Sequence, residues 1–176
     1  SPLEPALRPC YERLARAAGL PPDRIVFLPA VRDEAGNLAR YAVVDAVLDP
    51  MPFGIVKGAL EPLQAGVPVV TLLGRRHGER SAYSILAHAG VTGTVAQSGR
   101  EYVDIVARLA GDAAFRAGVV RAIRAGMAAS PLVDLPAHTR ALERAYLAAL
   151  AARAPASLLD SGFGAAEVDA LAAAAA

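Results

Sequence analysis

The sequence predicts an α/β fold, a parallel sheet with helices on both faces followed by closing helices. Three observations point to it. Short β-branched apolar runs alternate with stretches of helical periodicity between residues 24 and 110. The run at 42–50, AVVDAVLDP, is nearly all apolar, as a strand covered on both faces must be. From residue 112 onward the periodic stretches are all helical.

Leu7, Tyr11, Leu14 and Ala18 recur at helical spacing, and GLPPD then supplies a glycine stop and a double proline. RIVFLPA (24–30) reads as a buried parallel strand closed by proline, and AVVDAVLDP (42–50) as a second. VPVVTLLG (67–74) is a third strand with a glycine end, and TGTVAQ (92–97) a shorter fourth. Helices are expected at 80–89 and 99–110. The latter is opened by Ser98 and Glu101 at capping-box spacing and places Tyr102, Ile105, Val106 and Leu109 on one face. This alternation implies a Rossmann-like layer structure with right-handed crossovers.

DAAFRAGVVRAIRAGMAA and AHTRALERAYLAALAARA, joined by SPLVDLP, close the fold, with Leu142, Tyr146 and Leu150 in register. The end, AAEVDALAAAAA, has helix propensity but little to bury, so fraying is expected there. The predicted division is a domain over 1–153, closing helices included, and an alanine-rich tail over 154–176.

Composition narrows the function. With 18 basic and 17 acidic side chains and a formal net charge of +1, the chain lacks the cationic field that captures nucleic acid, so no nucleic-acid partner is expected. Cys10 is the only cysteine, which excludes an internal disulfide and any site needing several thiolates, and fits a reducing, cytoplasmic setting. No apolar run approaches the roughly 20 residues that span a bilayer, and SPLEPALRPC lacks a signal peptide's layout. His77, His88 and His138 have no HExxH-like spacing, so no metal is expected. The start without methionine, and a first helix with no strand ahead of it, suggest a piece of a longer chain.

In an open α/β sheet, ligands bind beyond the carboxyl ends of the strands. That places the loops at 29–33, 49–58 and 73–80 on one rim. In DPMPFGIVKGALEPLQAG (49–66), Gly54 and Gly58 allow backbone N–H groups to approach a phosphate, and the following helix N-terminus adds partial positive charge. Lys57 supplies a mobile cation, and Glu61 offers two acceptors for a ribose diol. GRRHGERS reads either as a charged, exposed turn or as a place where Arg76, His77 and Arg80 touch phosphate or sugar. His88 sits where a helix C-terminus favours a cation. The glycines form neither GxGxxG nor a Walker loop, which argues against nicotinamide cofactors and ATP hydrolysis.

The unit DPMPFGIVKGALEPLQAGVPVVTLLG resembles the nucleotide-sugar half of GT-B glycosyltransferases, in particular the family of O-GlcNAc transferases and bacterial cytoplasmic protein N-glycosyltransferases. PMPFG is similar to the proline-phenylalanine-glycine loop of the N-glycosyltransferase branch. REYVDIVARLAGD and SPLVDLPAHTRALERAYLAAL resemble the closing helices of the O-GlcNAc transferase branch, and LARAAGLPPDRIVFLPAV the helix and strand before the base-binding loop. The match is collinear from about Leu7 to Leu150.

The resemblance implies the C-terminal half of a GT-B fold holding a UDP-sugar donor as substrate, with no cofactor and no metal. It places the uracil near Ala30, Val31 and Arg32, and the diphosphate over Ile55, Val56, Lys57 and Gly58. The ribose falls at Glu61, with Phe53, Gly54 and His77 also on the donor side. Lys57 and Arg80 would stabilise the leaving diphosphate, and the reaction would invert and deliver sugar to a protein side chain. Ile55, Val56 and Lys57 replace the family's polar residues around the diphosphate, Glu61 stands for the usual aspartate, and Pro62 implies a helix that starts late or bends. The resemblance also implies a further diphosphate-contacting lysine near the strand before the first helix and an acceptor site in a preceding domain, neither of them within this sequence. Two alternatives stay open: a degenerate lobe that binds without transferring sugar, and an enzyme with a small-molecule or lipid acceptor.

Overall fold

A computed structural model describes residues 4–29, 31 and 33–174, and the chain divides into two units, Ser1–Val43 and Val44–Ala176. In the first, the expected helix is α1 (Glu4–Ala17). It buries Ala15, while Leu7, Tyr11 and Leu14 stay exposed. Tyr11 meets Phe27 edge-on with centroids 6.1 Å apart, and the Arg8 guanidinium lies 4.2 Å over the same ring.

The strand expected at 24–30 is not formed. Pro22–Arg24 is a single 3-10 turn, and the residues after it join no ladder among the described residues. Ile25 and Phe27 are half-buried, whereas Val26 is 76% exposed and Leu28 is also exposed, so one face is covered and not two. Side-chain preference makes such a segment extended; a strand also needs a neighbour's N–H and C=O groups, and Pro29 removes a donor. A short helix missing from the sequence reading, α2 (Glu34–Ala39), follows; Asp33 caps it by accepting from Gly36 N at 2.7 Å.

The second unit holds a parallel sheet, β1 (Val47–Leu48), β2 (Val69–Leu72) and β3 (Val95–Ala96), in that spatial order. Val47 stands opposite Val69, and Thr71 opposite Val95. Val69, Val70 and Thr71 are fully buried. Successive strand residues point to opposite faces, so β2 is covered on both. The covering helices are α3 (Lys57–Gln64), α4 (Ser81–His88) and α5 (Gly99–Gly111). Leu63, Leu86 and Leu109 from them, with Ile123, complete the core around β2.

β1 is much shorter than the predicted 42–50. Arg40–Val43 is a 3-10 turn, and Leu48 is 51% exposed. As the edge of the three-stranded sheet, β1 finds partners only on β2, through Val47 N to Pro68 O and Asp49 N to Val70 O. Burial on both faces therefore holds for β2 and fails for β1.

α5 begins as its sequence predicts, with Ser98 Oγ accepting from Glu101 N at 3.2 Å. The Glu101 carboxylate reaches one residue further back than a capping box would, taking Gln97 N at 2.7 Å. Asp112 ends α5 and starts α6 (Ala113–Ala129), accepting from Phe115 N at 2.9 Å. Gly126 lets α6 press against the end of α4: a Cβ there would lie 1.8 Å from Ala89 O.

α7 (Leu135–Arg153) is capped by Asp134. The predicted fraying beyond it is not what the described residues show. The chain forms α8 (Pro155–Asp160), turns at Gly162 with φ +94°, and returns as α9 (Ala165–Ala173). Leu158 and Val168 are buried with Ala151, and Leu147, Phe163 and Leu171 pack around them. Three well-placed apolar residues anchor helices that alanine propensity alone would leave marginal. Among the described residues no helix is long and apolar enough to cross a membrane.

Candidate functional site

The carboxyl ends of β1 and β2 carry the loops predicted to bind, and Asp49 organises the first of them. Asp49 ends β1 and is 3% exposed. Its Oδ1 accepts from Ile55 N at 2.8 Å, folding residues 49–55 into a closed loop, and its Oδ2 accepts from Thr71 Oγ1 at 2.6 Å. From α5, Tyr102 OH donates to Asp49 O at 3.2 Å. Burial, and then the nearby Asp49 charge, raise the Tyr102 pKa above its ordinary value, so the phenol keeps the proton it donates.

Gly54 is buried inside this loop and joins it to the next. Its N–H donates to Gly78 O at 3.3 Å, and an added Cβ would lie 3.3 Å from that oxygen and 3.4 Å from Asp49 Oδ2. The glycine is thus needed for packing, and its N–H is used within the protein. Ile55 turns inward against the core, Val56 and Phe53 stay exposed, and Gly58 lies over Ile55, 3.4 Å from where its Cβ would be.

The amides that stay open come next. Val56 is the N-cap of α3 and offers no capping side chain; Ala59 N bonds back to Val56 O at 3.1 Å. Among the described residues, the N–H groups of Val56, Lys57 and Gly58 have no hydrogen-bond partner. Lys57 Nζ lies 3.4 Å from Glu61 Oε1, with the lysine side chain 87% exposed and the glutamate 17%. The two share one face of α3, as i,i+4 residues must. Pro62 does not delay the helix: α3 starts at Lys57 and runs through the buried Pro62 to Gln64.

The second loop is braced by Glu79, whose Oε2 accepts from Arg75 N at 3.0 Å and Arg76 N at 3.1 Å. These backbone hydrogen bonds, Arg76 first, lower the Glu79 pKa. Gly74 accommodates that carboxylate, since a Cβ would fall 2.2 Å from Glu79 Cβ. Arg80 Nη1 reaches Gly74 O at 3.5 Å, and its guanidinium lies 5.2 Å over the Tyr83 ring. His77 and Arg80 line a groove of about 430 Å³ along α4 with Tyr83, Ser84 and His88. The lining of that groove does not include Lys57 or Glu61. His88 Nδ1 is 2.7 Å from Ser84 O, a local bond at the helix end.

Val31 lies in the first unit, beside Gly36 of α2, at 3.0 Å from where a Cβ of that glycine would stand. Ala30 and Arg32 lie outside the described residues. No group of three or more His, Cys, Asp or Glu able to hold a metal occurs among the described residues. The sequence reading missed Asp49, Tyr102 and Glu79. Asp49 carries a signal, an Asp-Pro step directly after a strand, which favours a side-chain-closed turn; nothing local marks Tyr102, fifty-three residues away.

Comparison with known proteins gives a consistent result. The model of glycosyl transferase family 41 matches residues 6–142. The chain is 34% identical over 128 residues to a probable UDP-N-acetylglucosamine–peptide N-acetylglucosaminyltransferase SPINDLY of Oryza sativa subsp. japonica, covering 73% of this chain and 14% of that protein. It is 33% identical over 135 residues to a UDP-N-acetylglucosamine–peptide N-acetylglucosaminyltransferase of Caenorhabditis elegans, covering 76% and 11%. In three dimensions it is similar to a mutant O-GlcNAc transferase of Thermobaculum terrenum, with a TM-score of 0.74 and 31% identity over 81% of this chain and 27% of that one. The chain thus spans about one seventh of the length of the SPINDLY relative.

Proposed function

The chain belongs to glycosyl transferase family 41, and from that premise we propose that it is the donor-binding lobe of an inverting glycosyltransferase that moves a sugar from UDP to a protein side chain. The observation that carries this reading is the run of three open amides at Val56, Lys57 and Gly58 beside the Lys57–Glu61 pair. Consecutive N–H groups at a helix start, next to a flexible cation, are suited to diphosphate oxygens. A diphosphate competes with Glu61 for Lys57, and the carboxylate offers acceptor oxygens to ribose hydroxyls. Catalysis in this reading is electrostatic: charge developing on the departing UDP is met by the amides and Lys57. Arg80, on the α4 wall, serves the sugar or outer phosphate. The acceptor site, and any base acting on the acceptor, come from another part of the protein, and no step here uses a metal.

A second reading, a lobe that binds without transfer, is favoured by one observation: the amides of Gly54 and Ile55 are spent inside the protein. Calorimetric titration of the chain with UDP tests the first reading. Saturable heat that Lys57→Ala and Glu61→Ala each weaken supports it. Absence of heat at millimolar UDP would leave the scaffold reading in its place.

A further inference from the structure

At the opposite end of the sheet, α6 presents Arg116, Arg121 and Arg124 and contains no acidic residue. With the turns that precede β1 and β2 it encloses an open groove of about 480 Å³. Val44, Pro68, Ala117 and Val120 supply an apolar floor, and Asp45, paired with Arg116, lines the groove together with Arg121 and Arg124. Arg116 is occupied: its Nη1 donates to Leu109 O at 2.6 Å, closing the end of α5, and its Nε lies 3.8 Å from Asp45. Arg121 and Arg124 have no hydrogen-bond or ion-pair partner among the described residues. Arg124 extends over Gly66, its Nε 3.6 Å from where a Cβ of that glycine would stand.

We infer that this groove is a docking site for an acidic, amphipathic peptide segment of a protein partner. Charge complementarity selects the occupant. Arg121 and Arg124, three residues apart on α6, share one side of the helix and can meet carboxylates on one side of a bound peptide. The apolar floor beneath them takes the side chains that alternate with the carboxylates. A free phosphate would engage the arginines and leave that floor uncovered. The groove lies beyond the amino ends of β1 and β2, away from the loop that begins at Asp49, so a peptide here leaves the proposed donor loop open.

The test is fluorescence anisotropy with a labelled decapeptide of alternating Glu and Val, at low and physiological ionic strength. Saturable binding is expected, weakening as salt rises. Arg121→Glu with Arg124→Glu should weaken it at least about tenfold, and Arg140→Glu, on exposed α7, should change it less than about twofold. Melting curves establish that the variants fold; should the double reversal not fold, Arg124→Gln alone takes its place, with a loss of at least about threefold expected. Equal losses for Arg140→Glu would overturn the site. So would unchanged binding by the groove variants, or an all-Glu peptide or heparin binding more tightly than the alternating peptide. UDP titration of the same variants should match the parent, which separates this inference from the donor reading.

Discussion

Asp49 Oδ2 and Thr71 Oγ1 lie 2.6 Å apart, a buried bond between side chains at the end of β1 and within β2. Since the same carboxylate holds Ile55 N, one residue fixes both a strand pair and the loop that leads to Lys57.

Thr71→Val keeps the shape and removes the donor, so it should cost about 1–3 kcal/mol in urea denaturation. Asp49→Ala leaves Ile55 N and Thr71 Oγ1 without their acceptor and should cost about 2–4 kcal/mol. The double variant should cost less than the sum by about 1 kcal/mol or more. Strict additivity would show that the two groups do not act together.

Two glycines of α6 should respond with opposite signs. Gly126→Ala drives a methyl into Ala89 O and should destabilise by about 1–3 kcal/mol or more. Gly118 has only Arg121 Nη2 nearby, at 3.9 Å, so Gly118→Ala should stabilise by about 0.5–1 kcal/mol through helix propensity. Thermal melts of the pair decide the matter.

Lys57 separates binding from stability. Its ion pair with Glu61 is exposed on the lysine side, so Lys57→Ala should shift folding stability by less than about 0.5 kcal/mol. Loss of a charge-assisted contact to diphosphate should instead weaken UDP about tenfold or more. A variant that loses stability and keeps UDP affinity would reverse the assignment.

Glu79 and Asp112 predict the acid limb of stability. Backbone hydrogen bonds, from Arg76 N to Glu79 and from Phe115 N to Asp112, hold both pKa values below the ordinary 4.5 and 3.8. The unfolded chain therefore takes up these protons first, and stability falls as pH falls. The contribution is complete well above 4.5, begins to fade as pH nears 4.5 and 3.8, and is gone below the folded values. Melting midpoints from pH 7 to 3 should decline less for Glu79→Gln than for the parent; parallel profiles would remove Glu79 from the explanation.

Local chemistry made part of this fold readable. Ser98, Glu101 and the apolar face of α5 are set by neighbours in sequence, and the central strand at Val69–Leu72 is marked by its β-branched, mostly apolar run. The segments at 24–30 and 42–50 carry the same apolar signal, yet strand formation depends on a pairing partner that composition cannot specify. Lys57 and Glu61 are singled out by their place in the glycine-bearing loop after a predicted strand, and they share one face of α3. The inward use of Gly54 N is not legible there, because its acceptor, Gly78, belongs to a separate loop. Tail helices looked unsupported until Leu158 and Val168 met Ala151, a contact set by how the chain doubles back.

Asp112 finishes one helix with its backbone N–H, donated to Arg108 O, and opens the next with its carboxylate, which Arg108 Nε approaches to 3.6 Å. Such a joint has no slack. An inserted residue at this point would unseat two termini together and swing the Arg121 face relative to the sheet, so the tolerance of this lobe to added length should be lowest where its connection is shortest.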